Sequence, residues 1–153
     1  MGQFLTTLKT EQVTEGTLTR KAQFKLTASL IYESHTLGQA IIVPAGFITD
    51  FATVPRLPIL YALLGNLGNA AACLHDFLYT EPHTPMKSGC TPVTREIADK
   101  VFQGAIVDGM VKDTDKNNTT IIQSLRNIGY IILGFLFYVG VRIGGASHWE
   151  RVK

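Results

Sequence analysis

Residues 24–43 read FKLTASLIYESHTLGQAIIV, and their pattern decides the fold of the first half of the chain. Apolar side chains recur at every second position through the first nine residues, which is the period of a strand with one buried face. A turn that contains a glycine follows, and the final QAIIV supplies a partner strand. The stretch therefore predicts a β-hairpin over 24–43, followed at 47–49 by a short extended piece that ends at Asp50.

The second half of the chain is typical of helices. Segments at roughly 67–80, 93–111 and 118–143 are rich in apolar residues, and the second has apolar rows at four-residue spacing. Thr91 or Thr94 is expected to cap that second helix. Strands followed by helices indicate an α+β fold, in which a small antiparallel β-sheet packs against about three helices.

Composition predicts one folded domain over residues 1–153, with 1–17 loosely ordered. The chain is 46% hydrophobic and 17% charged, the opposite of the balance that disorder needs. Its formal charge is only +2, without a basic run longer than two, so we expect no specific nucleic-acid binding.

The two cysteines and the first residues of the chain fit a cytoplasmic location. Cys73 lies in an apolar run and is expected in the core, whereas Cys90 falls in a proline-rich loop over 81–92 that is a candidate lid. The chain has no CxxC pair or disulfide framework, which fits a reducing compartment. Its start lacks the features of a signal peptide.

An apolar C-terminal helix is expected over 121–144. Residues 128–141 carry no charge, but fourteen residues are fewer than the roughly twenty that a bilayer span needs. This favours a core helix. Gly140 and Gly144 have the small-residue spacing of membrane helix pairs, so membrane contact or self-association through 128–144, with an inner-membrane location, remains open.

Two sequence clusters carry candidate site residues on the strand end and on the first helix. Asp50 ends the short strand, and Thr49 beside it and Arg56 after it are candidate ligand-binding residues. The simpler interpretation is that Asp50 only bonds the backbone amides of its own turn. His75 and Asp76 combine an imidazole with a carboxylate, the ligand types of zinc, manganese or iron.

A third cluster lies at the start of the second helix. Arg95 and Asp99 are four residues apart, which is also the spacing of an ordinary surface ion pair. In the functional interpretation Asp99 faces His75 across two packed helices, and Arg95 holds an anionic group. Tyr79 shares the helix face of His75 and joins the candidate ligand-binding residues.

Three motifs occur in a fixed order: VPAGFITDFATVPR at 43–56, LHDFLY at 74–79, and Arg-x-x-Ala-Asp-x-x-Phe at 95–102. As a set they resemble a family of phage and prophage proteins known only as a domain of unknown function. The resemblance covers roughly residues 40–149, including an ending that contains Trp149. It implies a viral or prophage origin and supplies no reaction.

The leading functional hypothesis is a small hydrolase that acts on an ester or amide bond of a small anionic or cell-wall-derived substrate. The candidate catalytic residues, and the candidate ligands of one divalent ion (Zn, Mn or Fe), are Asp50, His75, Asp76 and Asp99. A bound cation would lower the pKa of a water molecule, and Arg56 or Arg95 would neutralise the developing oxyanion.

Two alternatives stay open. The chain could bind a small anionic ligand, such as a host nucleotide signal, without converting it. It could also be a structural protein of the virion or of lysis, in which the same polar residues form an internal hydrogen-bond network. In that case, removing one partner would cost about 1–3 kcal/mol of stability.

Overall fold

A computed structural model describes residues 2–17, 21–51, 58–80, 93–112 and 120–144. Within these ranges, strands precede helices along the chain, which confirms the α+β class. The strands are β1 (Gln3–Phe4), β2 (Thr10–Thr14), β3 (Gln23–Leu26), β4 (Leu30–Ser34), β5 (Gln39–Val43) and β6 (Ile48–Thr49). The helices are α1 (Pro58–Thr80), α2 (Arg95–Lys112) and α3 (Thr120–Gly144).

The strands form two antiparallel sheets, with orders β1-β4-β5 and β2-β3-β6. The predicted hairpin is therefore shorter than expected: it is β4–β5, in register from Leu30 opposite Val43, whereas β3 belongs to the other sheet. The chain changes sheet because the backbone at 27–29 bends and bonds the N-terminal segment. Thr27 N donates to the Lys9 carbonyl at 3.0 Å, and the Ser29 carbonyl accepts from Thr6 Oγ1 at 3.1 Å.

The N-terminal segment, predicted to be loosely ordered, contributes β1 and β2 to these sheets. Strand β6 is the extended piece predicted at 47–49, and it pairs with β3. Beyond it, Phe51 has a positive φ of 50°, which turns the chain sharply after Asp50.

The helices occur where the sequence predicted them, with different bounds. Helix α1 begins at Pro58, about nine residues before the predicted start, because proline suits the first turn of a helix. Helix α2 is capped by Thr94, whose Oγ1 accepts from Ile97 N at 3.3 Å. The other candidate cap, Thr91, lies outside the described residues, as does the whole loop over 81–92.

The core lies where α1 and α2 cover the β1-β4-β5 sheet and α3 covers α2. Residues 70–74, including the predicted core residue Cys73, are almost fully buried. Helix α3 approaches α2 closely at Gly134, which has no Cβ. A Cβ at this position would lie 2.7 Å from a methyl group of Val107. Among the described residues, no helix combines the length and the apolarity that a membrane span requires.

Candidate functional site

The second half of α1 positions three of the predicted site residues. His75 and Tyr79 are one turn apart and share a face, with ring centroids separated by 4.1 Å. The His75 ring also packs against Phe102 of α2 at 4.9 Å. Only 2% of each of His75 and Tyr79 is exposed, so both rings are enclosed within the helix layer.

Asp99 of α2 is the centre of the cluster, and it is fully buried. Its Oδ1 lies 2.9 Å from His75 Nε2 and accepts a hydrogen bond from the Tyr79 hydroxyl at 2.6 Å. Its Oδ2 accepts from Arg142 Nη1 of α3 at 3.2 Å. Residues from all three helices therefore meet on one carboxylate, and the predicted approach of His75 and Asp99 across two packed helices is present.

The protonation states of the cluster follow from these contacts. Burial would raise the pKa of Asp99, but the hydrogen bonds from His75, Tyr79 and Arg142 outweigh it and hold that pKa below its ordinary value. Burial, reinforced by the Asp99 hydrogen bond, raises the pKa of the Tyr79 hydroxyl, so the phenol stays neutral. Near neutral pH the cluster therefore contains a carboxylate and a phenol that donates to it.

The ionised carboxylate fixes the tautomer of His75. A carboxylate can only accept, so the 2.9 Å contact requires a proton on His75 Nε2. In the neutral imidazole the lone pair is then on Nδ1. This is the arrangement in which a carboxylate orients a histidine that acts as a general base at its other nitrogen.

Arg95 joins the cluster to the end of α3. Its Nε donates to the Tyr79 hydroxyl at 3.3 Å and lies 3.9 Å from Asp99 Oδ2. Its Nη2 donates to the backbone carbonyls of Val141, at 3.2 Å, and of Arg142. The last carbonyls of a helix lack partners within the helix, so Arg95 caps α3 as well as contacting the site.

Asp76 points away from this cluster, as expected for neighbouring residues that differ by about 100° around a helix. It accepts a hydrogen bond from Thr49 Oγ1 of β6 at 2.5 Å. Thr49 is buried, and its Oγ1 also accepts from Phe51 N at 3.1 Å. The contact joins the turn after β6 to α1 at Asp76, the residue next to His75.

Asp50 lies in a different environment again, 3.5 Å from Lys21 Nζ and partly exposed to solvent. The four predicted metal ligands are therefore divided between the His75–Asp99 pair, the Asp76–Thr49 contact and the Asp50–Lys21 ion pair. Within the described part of the chain, no group of three or more His, Cys, Asp or Glu residues is placed to hold a metal ion. The remaining candidate, Arg56, lies outside it.

The sequence prediction missed Arg142 as a site residue. It lies 43 positions after Asp99, so no local spacing connects the two. The available signal was that Arg142 follows fourteen uncharged residues of an apolar helix. A charge in such a place needs a partner, because an unpaired charge in an apolar environment is costly.

Comparison with known proteins gives a family and no reaction. No curated protein and no solved structure matches this chain. One family model, described as "Protein of unknown function (DUF1353)", matches residues 24–119. The match spans β3 to α2 and includes His75, Asp76, Tyr79, Arg95 and Asp99, whereas Arg142 lies beyond it. Because the model matches more than half of the sequence, the chain belongs to the DUF1353 family.

Proposed function

We propose that this chain is a phage- or prophage-encoded hydrolase of an ester or amide bond, with His75 as the general base. The observation that carries the proposal is the contact between His75 Nε2 and the buried Asp99 carboxylate. A base whose second nitrogen is oriented by a carboxylate recurs in hydrolytic enzymes on unrelated folds. The phage origin rests on the motif resemblance, and the host-cytoplasm location on the cysteine usage.

In the proposed reaction, water is the nucleophile. His75 Nδ1 takes one proton from water as the oxygen forms a bond to the substrate carbonyl carbon. Asp99 stabilises the imidazolium that results, and it stays ionised because its pKa is held low. When the tetrahedral intermediate collapses, the bond to the leaving group breaks, and the proton on Nδ1 passes to that group.

The charge of the cluster supports a small anionic substrate. Arg95 and Arg142 supply two positive charges against the single negative charge of Asp99, and the raised pKa of Tyr79 keeps its phenol neutral. The Arg142 side chain is 38% exposed, compared with 19% for Arg95 and 0% for Asp99. A substrate carboxylate or phosphate is therefore best placed against the Arg142 guanidinium, whose planar fork suits either group.

The near-complete burial of His75 and Asp99 favours a second candidate, a structural network that fixes three helices together. The two functions predict different results for His75→Gln. Glutamine can still donate to Asp99, so the network is largely kept, but glutamine cannot accept a proton from water. His35→Gln is the matched control, because His35 is exposed in the turn between β4 and β5.

We therefore expect His75→Gln to lower kcat on small chromogenic esters and amides that carry an acidic group by about 10²–10⁴-fold. The melting temperature should stay within a few degrees of the wild-type value. His35→Gln should change neither. Absence of hydrolysis by the wild type, together with a melting temperature lowered by several degrees in His75→Ala, which removes the donor to Asp99, would favour the structural network. Unchanged ligand released after denaturation would identify a non-catalytic binder.

The metal-dependent form of the hydrolase stays a prediction, and the same assay tests it. A reaction that uses a divalent ion is lost after dialysis against EDTA and returns when Mn²⁺ or Zn²⁺ is added. If the His75–Asp99 pair acts without a metal ion, the rate of hydrolysis stays the same after dialysis against EDTA and after the ion is added. An ion-dependent rate that persists unchanged in Asp76→Asn and Asp50→Asn would exclude these two carboxylates as ligands.

A further inference from the structure

Helix α3 carries an apolar surface that none of the described elements covers. Six large apolar side chains on it are between 53% and 79% exposed: Ile128, Ile131, Ile132, Phe135, Leu136 and Ile143. We call these six residues the α3 outer face. Its first five members follow the spacing of one continuous stripe along a helix.

The α3 outer face is not the side of the helix that packs on the rest of the chain. Phe137 and Val141 are almost fully buried, and Phe137 meets Phe102 of α2 edge to face at 6.1 Å. Gly134 lies against Val107 on the same inner side. Helix α3 is therefore apolar on two sides, and α2 occupies one of them.

The area of the α3 outer face suits a dimer. An aromatic side chain has roughly 150–250 Å² to bury and a large aliphatic one somewhat less, so six that are more than half exposed present about 600 Å². Two such faces together would bury about 1,200 Å², the lower end of the range for specific, stable interfaces. A patch of this size is at the upper end of what monomeric proteins expose.

The distribution of charge on α3 distinguishes between two partners for the α3 outer face, a membrane surface and a second copy of the chain. Helices that lie in a membrane surface combine an apolar face with a polar face rich in Lys and Arg. Residues 127–141 contain no charged residue on any side of α3. A stretch without charge is instead the mark of the core of a homodimer interface.

We propose that the α3 outer face binds the α3 outer face of a second copy of this chain. Because both copies use the same surface, the contact closes on itself as a two-fold dimer. The proposal does not depend on the proposed hydrolysis: a catalytically inactive chain would still dimerise, and a monomer would still hydrolyse its substrate.

The test measures molecular mass in solution by sedimentation equilibrium. We expect the wild type to reach twice the monomer mass of 16.8 kDa and Ile132→Glu to stay at the monomer mass. The matched control is Ile42→Glu, since Ile42 on β5 is 55% exposed and Ile132 is 56% exposed. That control should dimerise like the wild type. Leu136→Glu is the second variant, and circular dichroism checks that each variant is folded.

A wild type that stays monomeric at all concentrations would overturn the proposal, as would dimers that persist in Ile132→Glu and Leu136→Glu. A further arm adds vesicles of phosphatidylethanolamine and phosphatidylglycerol. A monomer that floats with these vesicles, and loses this in Ile132→Glu but not in Ile42→Glu, would assign the face to a membrane surface and also overturn the dimer.

Discussion

Helix α2 holds a tyrosine–carboxylate hydrogen bond near each of its ends, and the two differ in what else reaches the carboxylate. Asp99 accepts from Tyr79 at 2.6 Å, and Asp108 accepts from Tyr32 of β4 at 2.7 Å. Nine residues correspond to a half-turn in orientation, so the two carboxylates point to opposite sides of the helix.

Asp99 is fully buried and also bonds His75 and Arg142, whereas Asp108 is only partly buried on the sheet side. A tyrosine–carboxylate pair alone therefore joins two elements and needs no functional explanation. The feature that makes the Asp99 end a candidate site is the convergence of an imidazole and a guanidinium on one carboxylate that water does not reach.

The largest difference in stability between the two ends of α2 is expected when the carboxylate at each end loses its negative charge. In Asp99→Asn, an NH₂ group replaces one of the two carboxylate oxygens. This donor then faces either the donors of His75 and Tyr79 or the donor of Arg142. We expect the free energy of unfolding to fall by about 3 kcal/mol, because breaking a buried charged network leaves its other members unpaired.

Asp108→Asn is the matched control for that experiment. One amide oxygen can still accept from Tyr32, and water can reach the rest of the group, so a loss below about 1 kcal/mol is expected. Urea unfolding of the two variants measures both values. Equal losses of unfolding free energy in the two variants would mean that the hydrogen bonds from His75 and Arg142 to Asp99 add nothing to the stability.

The Asp99 end of α2 was partly predictable from the sequence, whereas the Asp108 end was not predicted. Spacing alone placed Tyr79 on the face of His75, and helix periodicity placed Asp99 on a helix that could face them. Thr94 was available as a cap, and it is the cap. These features depend on residues within one helix or on the packing of two consecutive helices, which local patterns describe well.

Other features depended on packing between elements distant in the sequence. The break in the strand at 27–29 arises from hydrogen bonds to the N-terminal segment, which no local pattern indicates. Asp50 and Asp76 were predicted together with His75 as candidate ligands of one divalent ion, but helix geometry turns Asp76 toward Thr49, and Asp50 lies beside Lys21. That Arg95 holds an anion stays a prediction, and its hydrogen bond to the C-terminal end of α3 was not predicted.

A smaller effect is expected when each tyrosine loses its hydroxyl. Tyr79→Phe and Tyr32→Phe should each lower the free energy of unfolding at pH 7 by about 1 kcal/mol, the typical contribution of one such hydrogen bond. The two variants should differ in acid. The folded-state pKa of Asp99 is lower than that of the unfolded chain, so its contribution is complete above the unfolded value near 4 and is lost as pH falls through the folded value.

Tyr79→Phe removes one of the donors that hold this pKa low. The folded and unfolded values then lie closer together, and stability should fall less steeply below pH 4 than in the wild type. Tyr32→Phe leaves Asp99 and its donors in place and should keep the wild-type slope. Urea unfolding at several pH values between 2 and 7 measures the slopes, and identical slopes in the two variants would contradict the assignment of the acid effect to Asp99.

The smallest effect on stability is expected at the contact that joins one end of α2 to a neighbouring element. Arg95 connects the Asp99 end to the last carbonyls of α3, whereas Tyr32 connects the Asp108 end to β4. Lysine has a point charge and lacks the planar fork, so Arg95→Lys cannot bond the Tyr79 hydroxyl and the α3 carbonyls together. We expect a loss of about 0.5 kcal/mol, the lower end of the contribution of one hydrogen bond, because lysine keeps the positive charge.

Hydrogen exchange locates this last effect better than a melting curve does. Backbone amides in the final turn of α3 should exchange faster in Arg95→Lys, because the capped carbonyls lose a donor and the turn opens more often. Amides of β4 should exchange at the wild-type rate. Lys100→Arg, on the exposed side of the same helix, is the control and should alter neither region. If exchange rose in β4 as much as in α3, the two ends of α2 would be one cooperative unit, and the distinction between a structural end and a candidate site would fail.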